Sequence, residues 1–471
     1  MTFPLPSYSR ASNAAVVMIT SSAIWGLLAA GLQTLSTIQL LLPIFSYLAP
    51  LPVLNYGHLT PVVSFLLVYG WITSGLLGVL MILVPRFSGI PFRYGRLLTG
   101  GAILWQFGVL CGLTGILGEG GTGTPFLPFL RPVTCIFLVS FLVLGTGITR
   151  GLGGSWKSGP LLPRLYLLGA LISFPLGLGT ADLLLRGGTP GAVQIIVQLV
   201  WASILQHLWL TPLALVLVFQ LIPAMTGRAT SSLSLGVLAW VTTLGLGGWL
   251  SNTLETEGPL PSWLQSAGVV ATLLLFVAVL GNGILIHPLL EGKMEEIKRN
   301  VALRFMSIGA WSYLATYGWL AFLALPGVRQ TTVFTMTTNA TQTLLIFLFL
   351  GSILSGSVYA LLPVSRNMGW PSHPALTWHF WFTSIGAGMM VSGYALAGIF
   401  QGLALNDPGV PMGTIASYLR PFLVLVLIGQ FLWWAGQMAF TSLLFSSLLK
   451  LFTSTAPMAI FPSENPALTT R

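Results

Sequence analysis

The amino-acid sequence predicts an all-α integral membrane protein folded as a bundle of twelve transmembrane helices. Its 471 residues are 55% hydrophobic and only 6% charged, and their mean hydropathy is +0.88. Twelve apolar stretches have roughly 20 residues or more, which is the length that an α-helix needs to cross the hydrocarbon core of a bilayer. Lys and Arg are also distributed unevenly between the loops. These three observations exclude an ordinary soluble protein.

The predicted spans follow one another without a long polar linker. They cover residues 14–37, 60–84, 98–117, 130–149, 162–185, 192–223, 232–250, 262–288, 302–326, 338–363, 375–402 and 417–449. Each should be an α-helix because backbone polar groups in lipid must form hydrogen bonds within their own segment. The sequence therefore predicts a single polytopic membrane domain over residues 1–471.

Lys and Arg side chains distinguish the two faces of the predicted bundle. The face with both termini and the even-numbered loops holds fifteen of the 19 Lys and Arg residues. The opposite face holds the other four, Arg131, Arg186, Arg329 and Arg420. Because cytoplasmic loops carry an excess of Lys and Arg, we expect both termini to be cytoplasmic. The net charge of +10 follows from this asymmetry, and no basic run or basic helix face indicates binding of nucleic acid.

The stretch from Phe334 to Pro363 predicts a central helix with neighbours on several sides. Its first part carries a polar cluster: Thr335, Thr337, Thr338, Asn339, Thr341, Gln342 and Thr343. Its second part carries small residues: Gly351, Ser352, Ser355, Gly356 and Ser357. Small residues let helices approach closely in lipid, where close packing and interhelical hydrogen bonds replace the hydrophobic effect.

Ionisable side chains are scarce at the predicted membrane depth. Of nine carboxylates, almost all fall in predicted loops, and Asp182 lies at the boundary of the fifth span. A proton or cation pathway usually needs ionisable groups within the bilayer, so the sequence disfavours an ion-coupled transporter. The two cysteines, Cys111 and Cys135, fall inside spans and offer neither a disulfide framework nor a Cys-x-x-Cys motif.

One of the five histidines, His207, is predicted to lie deep within a span. An ionisable residue at this depth is a candidate for function, although an imidazole that is hydrogen-bonded to a neighbouring helix is the simpler interpretation. His379 lies near the start of the eleventh span, within Trp378-His379-Phe380-Trp381, where an aromatic belt at the membrane surface is expected. The remaining histidines, His58, His287 and His373, fall at span ends or in loops.

Several different short motifs follow one another along the chain. They are Ala23-Ile24-Trp25-Gly26 and Gln33 in the first span, Leu83-Val84-Pro85-Arg86 at the end of the second, Leu221-Ile222-Pro223 at the end of the sixth, Asn282-Gly283 in the eighth, Tyr359 to Pro363 in the tenth, Trp378 to Trp381 and Gly398 to Gly402 in the eleventh, and Tyr418-Leu419-Arg420 in the twelfth. Together they resemble subunit I of the haem-copper oxidase superfamily, closest to its cbb3-type branch. Their order and spacing match twelve family helices over nearly the whole chain.

The resemblance implies the twelve-helix bundle of cytochrome c oxidase subunit I in a bacterial cytoplasmic membrane. In that family six histidines hold two haems and a copper ion. The haem-ligand position of the second helix falls on Val63, the paired positions of the tenth helix fall on Thr341 and Thr343, and a copper-ligand position of the sixth helix falls near Ser203. With five histidines in total, this chain cannot supply six. Threonine and valine cannot replace imidazole as ligands of iron or copper.

The resemblance therefore implies the fold, whereas the missing ligands argue against the family's oxidase activity. Our leading hypothesis is a cofactor-free subunit that lacks catalytic and metal-binding residues and has a structural or docking role in a respiratory complex. Its partners would be other membrane subunits, a catalytic oxidase subunit or a cytochrome c. We expect bulky residues, from the 27 Phe and 16 Trp of the chain, to occupy the space of the lost haem.

Two further hypotheses stay open. The chain could be a redox-active variant that retains one haem b, with His207 as one axial ligand and a methionine or a partner's residue as the other. It could instead be a channel or transporter for a small neutral solute or gas, which would reuse the vacated haem cavity along a path lined by Asn339, Thr341 and Thr343.

Overall fold

The computed structural model describes residues 11–43, 52–88, 94–152, 160–186, 188–252, 260–366 and 369–453. These residues form helices and connecting turns, with no β-strand among them. Both chain termini lie outside the described residues, so the cytoplasmic orientation of the termini stays a prediction.

The described residues contain the twelve helical spans that the sequence predicts. Eleven helices are long and apolar enough to cross a membrane, and a twelfth span is counted if a helix pair bent by 92° forms one span. In chain order the spans are α1 Asn13–Leu41, α2 Tyr56–Pro85, α3 Gly95–Gly118, α4 Arg131–Gly151, α5 Leu161–Leu185, α6 Gly191–Thr226, α7 Leu233–Leu250, α8 Ser262–Leu290, α9 Val301–Leu323, α10 Thr337–Pro363, α11 His373–Leu405 and α12 Met412–Leu449. The bent pair consists of α9 and the short helix Pro326–Thr332.

Capping side chains set where several of these helices begin. Asn55, Ser232, Asn300 and Ser372 each accept a hydrogen bond from a backbone N–H in the first turn of α2, α7, α9 and α11 respectively. Such caps satisfy donors that have no partner within the helix. At its other end, α6 stops at Gly227, whose left-handed conformation (φ 69°) suits a helix terminus.

Three spans form the centre of the bundle. In their most apolar stretches, 100% of the residues of α2, 89% of α10 and 78% of α6 are buried, whereas the share is 50% or less in the other eight of the eleven spans. The central position of α10 that the sequence predicts is therefore confirmed. Its small residues allow close packing, because a Cβ atom at Gly356 would lie 2.9 Å from the carbonyl oxygen of Ala302 on α9.

The three central helices also share an irregular backbone. Each contains a π-helical segment, at Leu66–Thr73 in α2, Ile204–Leu210 in α6 and Leu344–Leu350 in α10, and two shorter ones occur at Ile116–Gly120 and Thr243–Gly247. Segments of this kind are rare, and they occur often at functional sites. The segments of α2, α6 and α10 begin one to three residues after Val63, Ser203 and Thr343, which are the positions that the sequence resemblance assigns to metal ligands.

Candidate functional site

A cavity of about 200 Å³ lies between α1, α2, α10, α11 and α12. Val63 on α2 and Thr343 on α10 both line it. These are two of the positions that the resemblance assigns to haem ligands. The structure thus brings them together at one site.

The cavity presents uncharged hydrogen-bonding groups. Its polar lining consists of Gln33, Ser36, Thr37, Tyr56, Thr60, Ser64, Asn339, Gln342, Thr343 and Tyr394. No charged side chain of the described residues lines it. The Thr343 hydroxyl donates a hydrogen bond to the carbonyl oxygen of Asn339 at 2.7 Å, so this group is satisfied within its own helix.

Aromatic side chains close one side of this cavity. Phe347 lines the cavity, and its ring centroid lies 4.6 Å from that of Trp433 and 6.0 Å from that of Trp71. The rings of Trp71 and Trp433 are 5.1 Å apart and packed edge to face, an arrangement that aromatic pairs favour. A Cβ atom at Gly351 would lie 2.6 Å from the Trp71 ring. Bulky residues are thus packed beside the cavity, although a space of about 200 Å³ remains between the helices.

Thr341 does not share this cavity with Thr343. It is buried and donates a hydrogen bond to the carbonyl oxygen of Thr337 at 3.1 Å, and it is not among the residues that line the cavity. Two residues that are two positions apart on a helix point in different directions. The sequence suggests a solute path lined by Asn339, Thr341 and Thr343. In the structure Asn339 and Thr343 line the same cavity, and Thr341 does not.

His207 lies in the π-helical segment of α6 and is fully buried. Its Nδ1 atom is 2.9 Å from the hydroxyl of Tyr317 on α9, and that hydroxyl is 2.8 Å from Oγ1 of Thr211. The other ring nitrogen, Nε2, is buried without a hydrogen bond of ordinary geometry among the described residues, and Asn252 is a further polar neighbour of the ring. Ser203, one turn earlier, donates to the carbonyl oxygen of Leu199 at 3.0 Å.

Comparison with known proteins explains this arrangement of helices. The family model for cytochrome c and quinol oxidase polypeptide I (COX1) matches residues 13–432. The chain belongs to the COX1 family. It is therefore a cytochrome c oxidase subunit I-like integral membrane protein of the haem-copper oxidase superfamily.

Curated relatives of this COX1-family chain have low sequence identity to it, but the matches extend over half of the chain or more. A cytochrome c oxidase subunit 1 homolog of Azorhizobium caulinodans is 22% identical over 98% of the chain and 86% of the relative. The cbb3-type subunit CcoN1 of Stutzerimonas stutzeri is 25% identical over 53% of the chain and 54% of the relative. A haem-copper terminal oxidase dimer solved by cryo-EM has the same fold, with a TM-score of 0.72 and 13% identity over 98% of this chain and 89% of that one.

COX1-family proteins normally bind haem and copper, and the residues at the corresponding positions of this chain do not fit these groups. Val63 has no lone pair to offer an iron ion, and Thr343 offers only a neutral hydroxyl oxygen, which is a weak ligand beside an imidazole. Within the described ranges, no cluster of three or more His, Cys, Asp or Glu side chains could hold a metal ion. Imidazole is the ligand that haem iron and copper take in this family.

A second buried histidine of this COX1-family chain was not expected. His379 is fully buried, and its Nδ1 atom lies 2.6 Å from the hydroxyl of Tyr359 on α10. Its ring stacks on Phe440 with centroids 5.1 Å apart. His379 thus faces the interior of the bundle, whereas Trp378 and Trp381 beside it are 58% and 50% exposed. Only knowledge of its contact with another helix could have revealed this burial.

The one borderline carboxylate of this COX1-family chain, Asp182, is a structural ion-pair centre. It is buried near the end of α5, where its carboxylate contacts Arg131 at 3.0 Å and Arg186 at 3.1 Å. The Thr134 hydroxyl donates to the same carboxylate at 2.7 Å. Because Arg131 and Thr134 of α4 both contact its carboxylate, Asp182 joins α4 to α5.

Proposed function

We propose that this chain is a cofactor-free member of the COX1 family that acts as a structural or docking subunit of a respiratory membrane complex. One observation carries the proposal: Val63 and Thr343 line the same cavity, at two of the positions where the family would place haem ligands. Neither residue can bind iron as imidazole does. On this proposal the chain is not an oxidase by itself.

The surroundings of these two residues support the proposal. The cavity is lined by neutral amides and hydroxyls, and Phe347 packs against Trp71 and Trp433 at its side. Buried hydroxyls of the threonine cluster are satisfied locally, since Thr335 and Thr337 both donate to the carbonyl oxygen of Thr332. A site of this kind is stable without a cofactor, because buried polar groups are costly only when they are not hydrogen-bonded.

The partners that we infer follow from the family. Relatives of this chain are named as subunits of cytochrome c oxidases, so the expected partners are other membrane subunits, among them a catalytic oxidase subunit, or a cytochrome c. The whole of residues 1–471 would act as a single membrane domain with both termini in the cytoplasm.

Metal and haem analysis of the purified chain tests the proposed lack of cofactors. The chain should be expressed in a host that loads a catalytic cbb3-type subunit I with haem, and this subunit should be purified in parallel as the positive control. We expect the control to show haem absorbance, iron and copper, and this chain to show less than a tenth of that haem per polypeptide. One haem per chain would contradict the proposal.

Isolation from native membranes under mild detergent conditions tests the docking role. We expect the chain to co-purify with subunits of a respiratory complex, and we expect cross-links to a fixed set of membrane subunits. If the chain migrates alone and forms no specific cross-links, the docking role is wrong, even where the analysis of cofactors agrees with the proposal.

A second candidate function is a redox subunit that retains one haem b. It is favoured by His207, because this imidazole is fully buried in α6 one turn after Ser203, near which the resemblance places a metal ligand. Absorption spectra of His207→Gln and His379→Gln variants test this alternative. His379 is a matched control, because it is equally buried but lies on α11, where the resemblance assigns no metal ligand. If His207 binds haem, only its substitution changes the spectrum; equal spectra would exclude the alternative.

A further inference from the structure

A second cavity, of about 300 Å³, lies at the end of the bundle that contains the C-terminal end of α10. It is bounded by the end of α6, the start of α9, the end of α10 and the start of α11. Its lining residues are Met225, Arg299, Asn300, Val301, Ala302, Tyr359, Ala360, Pro363, Trp370, His373 and Leu376. In the predicted topology these helix ends are all on the face that is rich in Lys and Arg.

The lining is divided into an apolar wall and a basic rim. Val301, Ala302 and Leu376 are each only 6–7% exposed and form part of the deep wall. Arg299 and His373 are exposed at the rim. A ligand that fits this layout has a charged or strongly polar head at the rim and an apolar part inside.

Electrostatics at the rim favour an anion. Among the residues that the structure describes, no Asp or Glu lines the cavity. Two of the three carboxylates between α8 and α9 are already paired, since Glu295 contacts Lys298 at 3.2 Å and Glu296 contacts Lys293 at 2.9 Å. The third, Glu291, is exposed and does not line the cavity. The hydrogen bond from Lys293 also holds the pKa of Glu296 below its usual value. Arg299 takes part in none of the ion pairs among the described residues.

The helix arrangement adds to this positive potential. Both α9 and α11 begin at the cavity, and Asn300 and His373 of their first turns line it. The N-terminus of a long helix carries a partial positive charge. Two such ends and one guanidinium group therefore converge on the rim.

Aromatic contacts place the cavity at the depth of the membrane surface. The Trp370 ring packs edge to face on Tyr359 with centroids 4.9 Å apart, and its Nε1 atom donates to the carbonyl oxygen of Tyr359 at 3.4 Å. Trp378 and Trp381 on the following turns of α11 are half exposed. Trp residues concentrate at the level of the lipid headgroups, and basic pockets between transmembrane helices on the cytoplasmic side bind anionic headgroups.

We propose that this cavity binds the phosphate-bearing headgroup of an anionic phospholipid from the adjacent leaflet. Arg299 binds the phosphate by charge-assisted hydrogen bonds, and the apolar wall contacts the glycerol backbone and the first methylene groups. A free phosphate ion has the same charged group as the headgroup, but it has no apolar part that could contact the wall. The site is independent of any haem, because it involves none of the residues that line the first cavity.

Lipid titration of the delipidated full-length chain tests this site. Native mass spectrometry and thermal unfolding would compare phosphatidylglycerol with phosphatidylcholine of the same acyl chains. We expect phosphatidylglycerol to bind more tightly and to raise the unfolding temperature more. Arg299→Gln should weaken phosphatidylglycerol binding about fivefold, since one basic residue near the membrane surface contributes about 1 kcal/mol. Equal binding of the two lipids would overturn the proposal.

Two further variants distinguish specific binding in this cavity from general attraction of anionic lipids to a basic protein surface. Arg96→Gln removes the same guanidinium charge from an exposed residue at the start of α3, which lies on the same predicted face but does not line the cavity, and should leave lipid binding nearly unchanged. Ala302→Phe keeps every charge but fills the cavity, and should weaken binding as much as Arg299→Gln does. Equal losses in Arg299→Gln and Arg96→Gln would overturn the proposal, as would inorganic phosphate raising the unfolding temperature of the delipidated chain as much as phosphatidylglycerol does.

Discussion

The hydroxyl of Tyr317 on α9 lies 2.9 Å from Nδ1 of His207 and 2.8 Å from Oγ1 of Thr211 on α6. One phenol thus satisfies two buried polar groups of another helix. Tyr317 and His207 are separated by 110 residues in sequence, so this contact ties α9 to the centre of the bundle.

Removing this hydroxyl should destabilise the fold. In Tyr317→Phe, the buried Nδ1 atom of His207 loses its partner, and an unsatisfied buried polar group costs about 1–3 kcal/mol. Unfolding in mixed detergent micelles would measure the loss. Tyr418→Phe is the control, because Tyr418 is 55% exposed and its substitution should change nothing. Equal stability of the two variants would contradict the importance of this contact.

The ion-pair centre at Asp182 should also be needed for stability. Asp182→Asn would leave Arg186, whose side chain is 19% exposed, without its charged partner. We expect a loss of about 1–3 kcal/mol, less than for a fully buried pair because the Arg131 side chain is 50% exposed. Glu295→Gln breaks an exposed pair with Lys298 and should have little effect. A loss in the control as large as that in Asp182→Asn would argue against a special role of this centre.

Two glycines allow a close approach of α11 and α12. A Cβ atom at Gly386 would lie 2.6 Å from the carbonyl oxygen of Gly429, and one at Gly429 would lie 2.6 Å from that of Gly386. Gly386→Ala should therefore force the helices apart at a cost of about 1–3 kcal/mol. Gly388→Ala on the same helix meets nothing within 4 Å and should be neutral or stabilising. The same unfolding assay compares them, and equal effects would contradict this packing.

Restoring the imidazoles alone should not restore a haem. In Val63→His/Thr343→His the two ligand positions are refilled, but Phe347 still occupies the cavity wall and remains packed on Trp71 and Trp433. We expect the haem content of this variant to equal that of the parent chain under expression with excess haem. Stoichiometric haem in the double variant would show that ligands alone were lost and that the cavity still accepts a porphyrin.

The membrane fold could be predicted from the sequence because the bilayer imposes a length and a composition on every span. The predicted span 338–363 and the observed Thr337–Pro363 differ by one residue at their start. Contacts between spans leave no such signal. The burial of His379 depends on Tyr359 from another helix, and the charge of Asp182 is balanced by Arg131 from α4. Nor do π-helical segments have a composition of their own, so the sequence did not reveal Leu344–Leu350.

The π-helical segment Leu344–Leu350 acts as a phase shift in α10. A π segment adds a residue to the helix, and one residue of an α-helix corresponds to a rotation of about 100°. Every side chain after the segment, from Gly351 onward, keeps its present neighbours only while that additional residue is present. Deleting one residue there would turn Gly356 away from Ala302 and bring larger side chains against α9. The packing of the whole second half of α10 therefore depends on this one additional residue.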